Sequence, residues 1–388
     1  MLTSALNVIM QEHPQIHCAF LDCSADSPTV AIGYGLSQHG MVHAWRRKGW
    51  LKLSYQPLAE QPLHQLSTLL PSGTYLVLGG SGGIGQALVR AIAAIAPHSQ
   101  FVLVSRCVNK EPVALHLAGQ CEYESLSCDI TNIAEVQSLT HLLQERYSHI
   151  QGILHCAGVP AGALIARHQC AEDFVVVEEK IRSCDALEIL QALEPRWIIC
   201  ASSMSAIHGG VGQLSYACAN GYLDAWVAAK AASQQNCCYR TINWDIWQDG
   251  GMSVQELPAG LRRHDNLLHL STGITRCEGA EILYQTMSTP PTQQLVCTTG
   301  FTESRWFYQQ HIPSRLPMAA SSDLADKFSL PLIRKLYAEH LGIEESDNNT
   351  SWESMGGDSI QALDLLDELN TKSPRPFTLA EFMQLDTP

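Results

Sequence analysis

Short apolar runs alternate with amphipathic stretches through the middle of this chain of 388 residues. Each amphipathic stretch repeats its apolar positions every three or four residues, which is typical of a helix packed on one side. Strands buried on both faces are almost continuously apolar, and strands that alternate with helices form parallel βαβ units. Residues 74–250 therefore predict an α/β fold with a parallel sheet. The strand-like runs are TYLVL, FVLV, GILHCAG, WIICASS and YRTINWDIW, and the helical stretches include QALVRAIAAIA and EVQSLTHLLQERY.

The two ends of the chain differ from this middle. The N-terminal part holds short strand-like runs at residues 29–32 and 41–45 and shows no candidate chemistry. Near the other end, a small and polar segment has the composition of a linker, and an acidic unit with an amphipathic helix pattern, LIRKLYAEHLGI, follows it. We therefore divide the chain into residues 1–70, residues 71–312, a linker of residues 313–327, and a helical unit of residues 328–388.

Composition and charge exclude several classes of protein. Hydrophobic residues make up 46% and charged residues 16%, as in an ordinary globular chain. The net charge is −14, so the basic surface that binds nucleic acid or an anionic membrane is missing. No apolar run approaches the ~20 residues that a membrane span needs, and the N-terminus has no signal-peptide pattern. We expect a cytoplasmic protein with no nucleic-acid or membrane partner.

Cysteine and histidine are frequent, but their spacing is not that of a metal or disulfide site. Fourteen cysteines are scattered along the chain without a CxxC pair, and sixteen histidines include no HExxH. In a long chain without an export signal, such cysteines are reduced thiols that fill the core. We predict no bound metal.

A glycine-rich loop lies between the first predicted strand of the middle region and the helix after it. Its residues let the backbone approach a pyrophosphate, and the helix N-terminus offers free N–H groups to an anion. The same letters match G-x-S-x-G, the nucleophile elbow of hydrolases, which is the alternative reading with Ser81 as nucleophile. We favour a dinucleotide site, because the glycines continue past the elbow. The loop residues are Gly79, Gly80, Ser81, Gly82, Gly83, Ile84 and Gly85.

The next two strands end in residues that suit the adenosine half of such a cofactor. Ser105-Arg106 ends FVLV, and an arginine there suits the 2′-phosphate of NADP, where NAD would need an acidic residue. Asp129 follows the third strand in SCDIT and suits the adenine. The structural alternative for Asp129 is a turn or a helix cap.

A serine, a tyrosine and an asparagine form the candidate catalytic group. Ser203 ends WIICASS, and ligands bind at the carboxyl ends of parallel strands. Tyr216 follows thirteen residues later, and Asn220 shares its helix face. The two hydroxyls can hold one carbonyl oxygen, with Ser203 donating a hydrogen bond and Tyr216 donating a proton as hydride arrives at the carbon. Taken singly, each residue has an ordinary packing or surface role.

Tyrosine chemistry of this kind needs a cation. A phenol has an ordinary pKa near about 10, which makes it a poor acid or base at neutral pH. Short-chain dehydrogenases place a lysine four residues after the tyrosine, where this chain has Asn220. Lys180, which precedes Ser203 by 23 residues, is the candidate substitute. Taken alone, it would be a solvated helix charge.

In this order and spacing, the motifs resemble the ketoreductase domain of modular polyketide synthases, a branch of the short-chain dehydrogenases that exchanges the lysine and asparagine positions. The matching pieces are GGSGGIG, LVSR, CDIT, GILHCAGV, EEKIRS, ASS, GQLSYACANGYLDA and INWDIWQDGGM, over roughly residues 72–305. The resemblance implies a Rossmann-type doubly wound parallel sheet and NADPH as cofactor. It implies a catalytic tetrad of Lys180, Ser203, Tyr216 and Asn220. It adds cofactor contacts from Ile130, Ala157 and Gly158 to the glycine loop, Ser105, Arg106 and Asp129.

The same resemblance has consequences for the regions around the tetrad. Residues 1–70 resemble a shortened structural subdomain of the family, and residues 251–275 a lid over the cofactor. Pro160-Ala161-Gly162 stands where one stereochemical class carries Leu-Asp-Asp, and His208 stands where the other carries Trp. Absence of the aspartate pair favours the A-type alcohol. The alternative for His208 is an ordinary loop histidine.

Near the C-terminus, Ser359 lies in GGDSI, directly before an apolar periodic run. An isolated Asp-Ser before a helix is usually an N-cap. After an amphipathic helix and an acidic loop, the motif resembles that of acyl and peptidyl carrier proteins. The resemblance implies a small all-α bundle in which a phosphopantetheinyl transferase attaches 4′-phosphopantetheine to Ser359. The chain stops near the start of the family's last helix, so we expect a short carrier.

Together these resemblances predict reduction of a carrier-bound β-ketoacyl thioester in polyketide or hybrid polyketide/nonribosomal peptide biosynthesis, with other synthase subunits as partners. Two alternatives stay open. One is reduction of an α-ketoacyl group on a peptidyl carrier, since GGDS is frequent there. The other is a docking and carrier protein without reductase activity.

Overall fold

The computed structural model describes most of the chain up to residue 304 and parts of the C-terminal unit. The described residues are 2–13, 15–16, 18–23, 42–46, 49–59, 66–106, 116–159, 164–165, 170–233, 236–248, 273–302, 304, 330–341, 365 and 368–369. Several predictions therefore lie outside the described residues. They concern Ser359, the linker of residues 313–327, Pro160-Ala161-Gly162 and most of the lid of residues 251–275.

The N-terminal part contains a helix and a small sheet. Helix α1 spans Leu2–Glu12, and strands β1 (Phe20–Cys23), β2 (Val42–Arg46) and β3 (Gly49–Lys52) follow. Strand β2 confirms the strand expected at residues 41–45, and it pairs in parallel with β1 and antiparallel with β3. The sequence pattern did not predict α1. A short helix, α2 (Leu66–Leu69), leads into the next part of the chain.

Seven parallel strands form the central sheet, which confirms the predicted doubly wound fold. Their order is β10-β9-β8-β7-β4-β5-β6, and the order reverses between β4 and β7, where such sheets bind ligands. The prediction did not include β10, which has only three residues and one partner strand. The strands are β4 (Thr74–Leu78), β5 (Gln100–Ser105), β6 (Glu122–Ser127), β7 (Ile150–His155), β8 (Trp197–Ser203), β9 (Cys238–Trp244) and β10 (Gln293–Leu295).

Helices cover both faces of this sheet. They are α3 (Gly83–Ile95), α4 (Ile133–Arg146), α5 (Cys170–Leu190), α6 (Ser205–His208), α7 (Leu214–Ser233) and α8 (Arg276–Ser288), and a 3₁₀ turn at Gln191–Leu193 follows α5. In the C-terminal unit, α9 (Leu330–Leu341) confirms the helix that LIRKLYAEHLGI predicts.

Successive residues of each strand enter opposite halves of the core, as strand geometry requires. Tyr75 and Phe101 pack with α3 and α8 on one face, while Leu76 and Val102 pack with α4, α5 and α7 on the other. All four side chains are completely buried. This two-faced burial holds the carboxyl ends of β4, β7 and β8 side by side, at one edge of the sheet.

Three observations bear on the classes of protein considered above. The cysteines of the described ranges are free thiols. No helix among the described residues is long and apolar enough to span a membrane. Within the same ranges, no group of three or more His, Cys, Asp or Glu side chains is placed to hold a metal ion.

Candidate active site

The glycine loop after β4 is built by close backbone contacts. Gly79 has φ +77°, in the left-handed region, and a Cβ on it would lie 2.6 Å from the Ala157 nitrogen. A Cβ on Gly85 would lie 2.6 Å from the Gly79 oxygen, and one on Gly80 would crowd Leu103. These glycines therefore allow the strand, the loop and helix α3 to pack directly on one another.

Helix α3 presents an uncapped N-terminus at this loop. Gly82 is the N-cap residue and makes no side-chain cap bond, and the first turn, which Gly83 and Ile84 begin, has no acidic residue. Ser81 beside it is exposed. The first N–H groups of a helix lack partners within the helix, and their dipole favours an anion. The predicted loop residues thus fit the pyrophosphate of a dinucleotide.

Lys180, on α5, binds the loop after β7, and that loop contacts the glycine loop. Its side chain is buried, with 8% of the residue exposed, and Nζ donates a hydrogen bond to the Ala157 oxygen at 3.1 Å. A Cβ on Gly158 would lie 3.5 Å from Nζ. Since Ala157 also touches Gly79, the lysine and the glycine loop share one backbone segment.

The surroundings of Lys180 are neutral apart from one carboxyl group. Burial lowers the pKa of Lys180, and nearby cysteines and Asp224 oppose that shift. Burial also raises the pKa of the Cys156 and Cys184 thiols to about 12, so both stay protonated. His155 is completely buried beside Ser183, and burial and then Lys180 lower its pKa to about 3, so it stays uncharged. The ammonium charge is thus not cancelled by these three groups.

Ser203 stands at the end of β8, two strands away from the glycine loop. Its Oγ accepts hydrogen bonds from the Ser205 nitrogen at 3.2 Å and the Ser205 hydroxyl at 3.0 Å. The side-chain amide nitrogen of Asn243, on β9, donates to the backbone carbonyl oxygen of Ser203 at 3.0 Å and to Asp224 Oδ2 at 2.8 Å. Asn243 therefore fixes the end of β8 against helix α7.

Tyr216, Asn220 and Asp224 follow one another at four-residue steps along α7, so they lie on one face of the helix. Asn220 is buried, with 2% of the residue exposed, and its Nδ2 donates to the backbone carbonyl oxygen of Tyr216 at 3.0 Å. Tyr216 itself is only half-buried, which leaves its ring accessible to a ligand. The structure thus places the four predicted catalytic residues on β8, α7 and α5 at the carboxyl edge of the sheet.

The residues predicted for the adenosine half lie at the ends of β5 and β6. Ser105 is half-buried, and Arg106 is exposed and pairs with Glu179 at 3.3 Å. Asp129 accepts hydrogen bonds from the Thr131 nitrogen at 2.9 Å and its hydroxyl at 2.8 Å, and the Thr131 N–H chiefly lowers the Asp129 pKa. Asp129 thus has the turn role, while Asn132 caps α4. Ile130 beside it packs against the core.

Sequence reasoning missed several residues that support the site. Asp224 was detectable, because it continues the four-residue spacing of Tyr216 and Asn220. Asn243 was detectable as a polar residue in an otherwise apolar strand. Gln11 and Glu12 of α1 hydrogen-bond to the loop before Tyr216, and nothing in their local sequence pointed to that contact.

His208, in the predicted stereochemical position, is buried at the end of α6. Its ring packs on Phe301 with ring centroids 5.1 Å apart, and Tyr55 of the N-terminal part also packs on Phe301, at 4.8 Å. The histidine therefore belongs to an aromatic contact between the N-terminal part and the loop before Tyr216.

Comparison with protein families gives two matches. Residues 73–249 match the model of the KR domain, and residues 331–388 match the model of the phosphopantetheine attachment site. A KR domain implies NADPH, and an attachment site implies 4′-phosphopantetheine. The loop geometry described above fits the phosphates of such a dinucleotide.

Among curated proteins, Polyketide synthase PksN of Bacillus subtilis is 30% identical over 238 residues, which are 58% of this chain and 4% of that protein. Polyketide synthase ThaG of Burkholderia thailandensis is 22% identical over 319 residues, 79% of this chain and 6% of that protein. The chain thus spans less than a tenth of either relative.

Two solved structures illustrate the likeness in fold. The ketoreductase from the first module of phoslactomycin biosynthesis in Streptomyces superposes with a TM-score of 0.63 and 21% identity, over 81% of this chain and 74% of that chain. A structure of adenylation, ketoreductase and pseudo Asub domains from a keto acid-selecting NRPS module gives a TM-score of 0.58 and 18% identity, over 81% of this chain and 27% of that chain.

The glycine loop generates a first prediction. Gly79→Ala forces a left-handed residue against the Ala157 nitrogen, a cost of about 1–2 kcal/mol in strain alone, so we expect the Kd for NADPH to rise about tenfold. Fluorescence titration with NADPH measures it. Gly119→Ala is the matched control, since Gly119 also has φ +68° but lies outside the loop. Equal NADPH affinity of the two variants would contradict the assignment.

A second prediction concerns pH and stability. Burial raises the pKa of Asp224 to about 6, above its ordinary value of 3.8. As pH rises from about 4 to about 6, the unfolded chain ionises this carboxyl first, so the free energy of unfolding falls by about 1–3 kcal/mol. Asp224→Asn should remove this loss, as urea unfolding of both proteins at pH 4.5 and pH 7 would measure. The same pH dependence in both proteins would contradict the prediction.

Proposed function

Because residues 73–249 belong to the KR domain family and residues 331–388 to the phosphopantetheine attachment family, we propose that this chain reduces a β-ketoacyl thioester to a β-hydroxyacyl thioester with NADPH. The substrate is held on a phosphopantetheine arm. The setting is the biosynthesis of a polyketide or a hybrid polyketide/nonribosomal peptide.

The buried ammonium of Lys180 is the observation that carries this proposal. A lysine is rarely buried unless it has a partner and a use. Here Nζ is held by the Ala157 oxygen, beside Gly158 and one residue contact away from Gly79. In this proposal the positive charge stabilises the phenolate that Tyr216 becomes when it gives its proton to the substrate, which favours that proton transfer.

In the proposed reaction, NADPH supplies a hydride to the carbonyl carbon, and the carbonyl oxygen takes up a proton. Ser203 donates a hydrogen bond to that oxygen and stabilises the negative charge that develops on it. Tyr216 gives its phenolic proton to the same oxygen. Lys180 stabilises the phenolate that remains until a solvent proton replaces the lost one. Asn220 holds the first turn of α7 through its hydrogen bond to the backbone carbonyl oxygen of Tyr216.

The preference for NADPH over NADH rests on Arg106. This arginine ends β5 at the place where a 2′-phosphate lies in doubly wound folds, and its guanidinium is exposed. Glu179 forms a salt bridge with this guanidinium at 3.3 Å. An exposed pair of this kind contributes little to stability. A phosphate with about two negative charges is the stronger partner. Asp129 and Ile130 border the adenine in this proposal.

The C-terminal unit acts as the carrier. We propose that a phosphopantetheinyl transferase modifies Ser359 and that the arm then presents the acyl group to a reductase site. Residues 328–388 contain eleven acidic and four basic residues, so they suit docking onto basic surfaces of other synthase subunits. Those subunits supply the condensation and release steps.

An α-ketoacyl substrate on a peptidyl carrier is the second candidate. It is favoured by the likeness in fold to the ketoreductase of a keto acid-selecting NRPS module. The tetrad would reduce either carbonyl by the same steps, so the choice depends on the acyl-binding residues. Assays with matched β-keto and α-keto N-acetylcysteamine thioesters separate the two, and a lack of turnover with both would favour the non-reducing carrier.

Replacing the proton donor tests the reductase proposal. Tyr216→Phe should lower the rate of NADPH oxidation by about 10²–10⁴-fold, because general acid catalysis is lost, while the Kd for NADPH stays unchanged. Absorbance of NADPH with the β-keto thioester gives the rate. Tyr222→Phe is the matched control, since Tyr222 lies on the same helix and is also half-buried. Full activity of Tyr216→Phe would overturn the tetrad assignment.

Replacing the attachment serine tests the carrier proposal. The chain incubated with coenzyme A and a phosphopantetheinyl transferase should gain the mass of one phosphopantetheine arm. Ser359→Ala should abolish that gain, because no other hydroxyl stands in the GGDSI motif. Intact-protein mass spectrometry measures it, with Ser354→Ala as the nearby control. A mass gain that persists in Ser359→Ala contradicts the assignment.

A further inference from the structure

We propose that helix α1 is part of the reductase site, with Gln11 and Glu12 as positioning residues for the catalytic tetrad. This inference rests on the proposed reduction. It assigns a role to residues that lie outside the matched KR domain, which begins at residue 73.

Glu12 joins two loops through one carboxylate. Its Oε1 accepts a hydrogen bond from the Gly212 nitrogen at 2.8 Å, and its Oε2 accepts one from the Ile165 nitrogen at 2.6 Å. The residue is only 4% exposed. Hydrogen bonds from backbone N–H groups to a buried carboxylate are among the stronger ones in proteins, so this residue holds both loops firmly.

Gln11 and Asn7 extend the contact along one loop. The Gln11 amide forms a two-point pair, donating to the His208 oxygen at 2.7 Å and accepting from the Gly210 nitrogen at 2.8 Å. Asn7, one helical turn earlier, donates to the Ile207 oxygen at 2.7 Å. Asn7 and Gln11 share a helix face at a spacing of four residues, and Glu12 adjoins it. Helix α1 therefore presents its polar side chains to the backbone of residues 207–212.

The glycines of that loop are shaped for this helix. Gly209 has φ +81°, and a Cβ on it would lie 2.8 Å from Gln11 Oε1 and 3.1 Å from the Asn7 Cβ. Gly212, the donor to Glu12, has φ +74°. A side chain at Gly209 would crowd Gln11 and Asn7, so this glycine serves both its left-handed backbone and the close approach of α1.

Glu12 joins the connection between Ser203 and α7, which contains α6, to Ile165, which lies in sequence between Ala157 and α5. The loop of residues 204–213 runs from Ser203 directly to α7, and Gly212 lies four residues before Tyr216. The segment that contains Ile165 runs from Ala157, which binds Lys180, to the start of α5, which bears Lys180. One carboxylate thus links the backbone that leads into α7 and Tyr216 to the segment that leads into α5 and Lys180.

Loss of this coupling should change the rate more than the affinity for NADPH. The glycine loop and α3 do not contact α1 through any of these hydrogen bonds, so dinucleotide binding should persist. Displacement of a catalytic group by about 1 Å can cost about 10²-fold in rate. A buried Gly212 N–H without its acceptor would move toward solvent and displace the start of α7, which bears Tyr216.

The test compares Glu12→Gln with the wild type in three measurements. Gln keeps the length of the side chain but faces one of the two N–H groups with its own NH₂. We expect kcat for the β-keto thioester to fall about tenfold or more, with an unchanged Kd for NADPH. We also expect faster amide hydrogen exchange in peptides that cover residues 207–213 and 164–165. Glu278→Gln is the matched control, because Glu278 also accepts a backbone hydrogen bond, from Thr275 at 2.8 Å.

Each outcome decides the inference. Faster exchange with an unchanged kcat overturns it, and so does an equal loss of kcat in Glu278→Gln. If Glu12→Gln does not fold, Gln11→Ala replaces it, since this change leaves the Glu12 carboxylate in place and removes the hydrogen bonds to the His208 oxygen and from the Gly210 nitrogen. Absence of turnover in the wild type contradicts the proposed function itself. In that case, unchanged exchange at Gly212 in the variant would also exclude Glu12 as the residue that holds the loop.

Discussion

The hydrogen bond from the Lys180 ammonium to the Ala157 oxygen is the contact on which the rest of this site depends. A buried ammonium is costly, so it requires an acceptor that the fold holds in place. That acceptor lies on the loop after β7, and β7 pairs in parallel with β4, the strand that leads into the glycine loop. The loop after β7 also contacts Gly79. The same backbone segment therefore contacts both the glycine loop and the Lys180 ammonium.

Backbone-to-backbone contact is the second constraint. At the glycine loop and again at Gly209, elements approach so closely that a Cβ would clash with the neighbouring segment. The two sites use glycine in the same way but for different partners. The first packs β4, α3 and the loop after β7 together, and the second admits the polar face of α1. The first contact involves Ala157, the acceptor for Lys180, and the second involves the connection that leads into Tyr216.

Local pattern predicted much of this fold and its site. Continuous apolar runs predicted the strands, because a strand inside the sheet is buried on both faces. Apolar residues at helical spacing predicted α3, α4 and α9, because a packed helix buries one face. The order and spacing of Lys180, Ser203, Tyr216 and Asn220 predict a catalytic group, and the structure places these residues on α5, β8 and α7. The pattern did not predict β10, which is too short for a periodic signal, or α1, whose polar side chains gave no sign of a distant partner.

The sequence by itself determined which groups are available: a glycine loop after a strand, a lysine, two hydroxyls and an asparagine in a fixed order, and a serine in a carrier motif. These follow from residue type and spacing, which are local properties. Only the tertiary structure decided that Asp129 serves a turn, that Asn243 and Asp224 fasten Ser203 to α7, and that Glu12 reaches Gly212 across 200 residues of chain. Contacts between residues so far apart depend on how the helices dock against the sheet, and no local pattern encodes that docking.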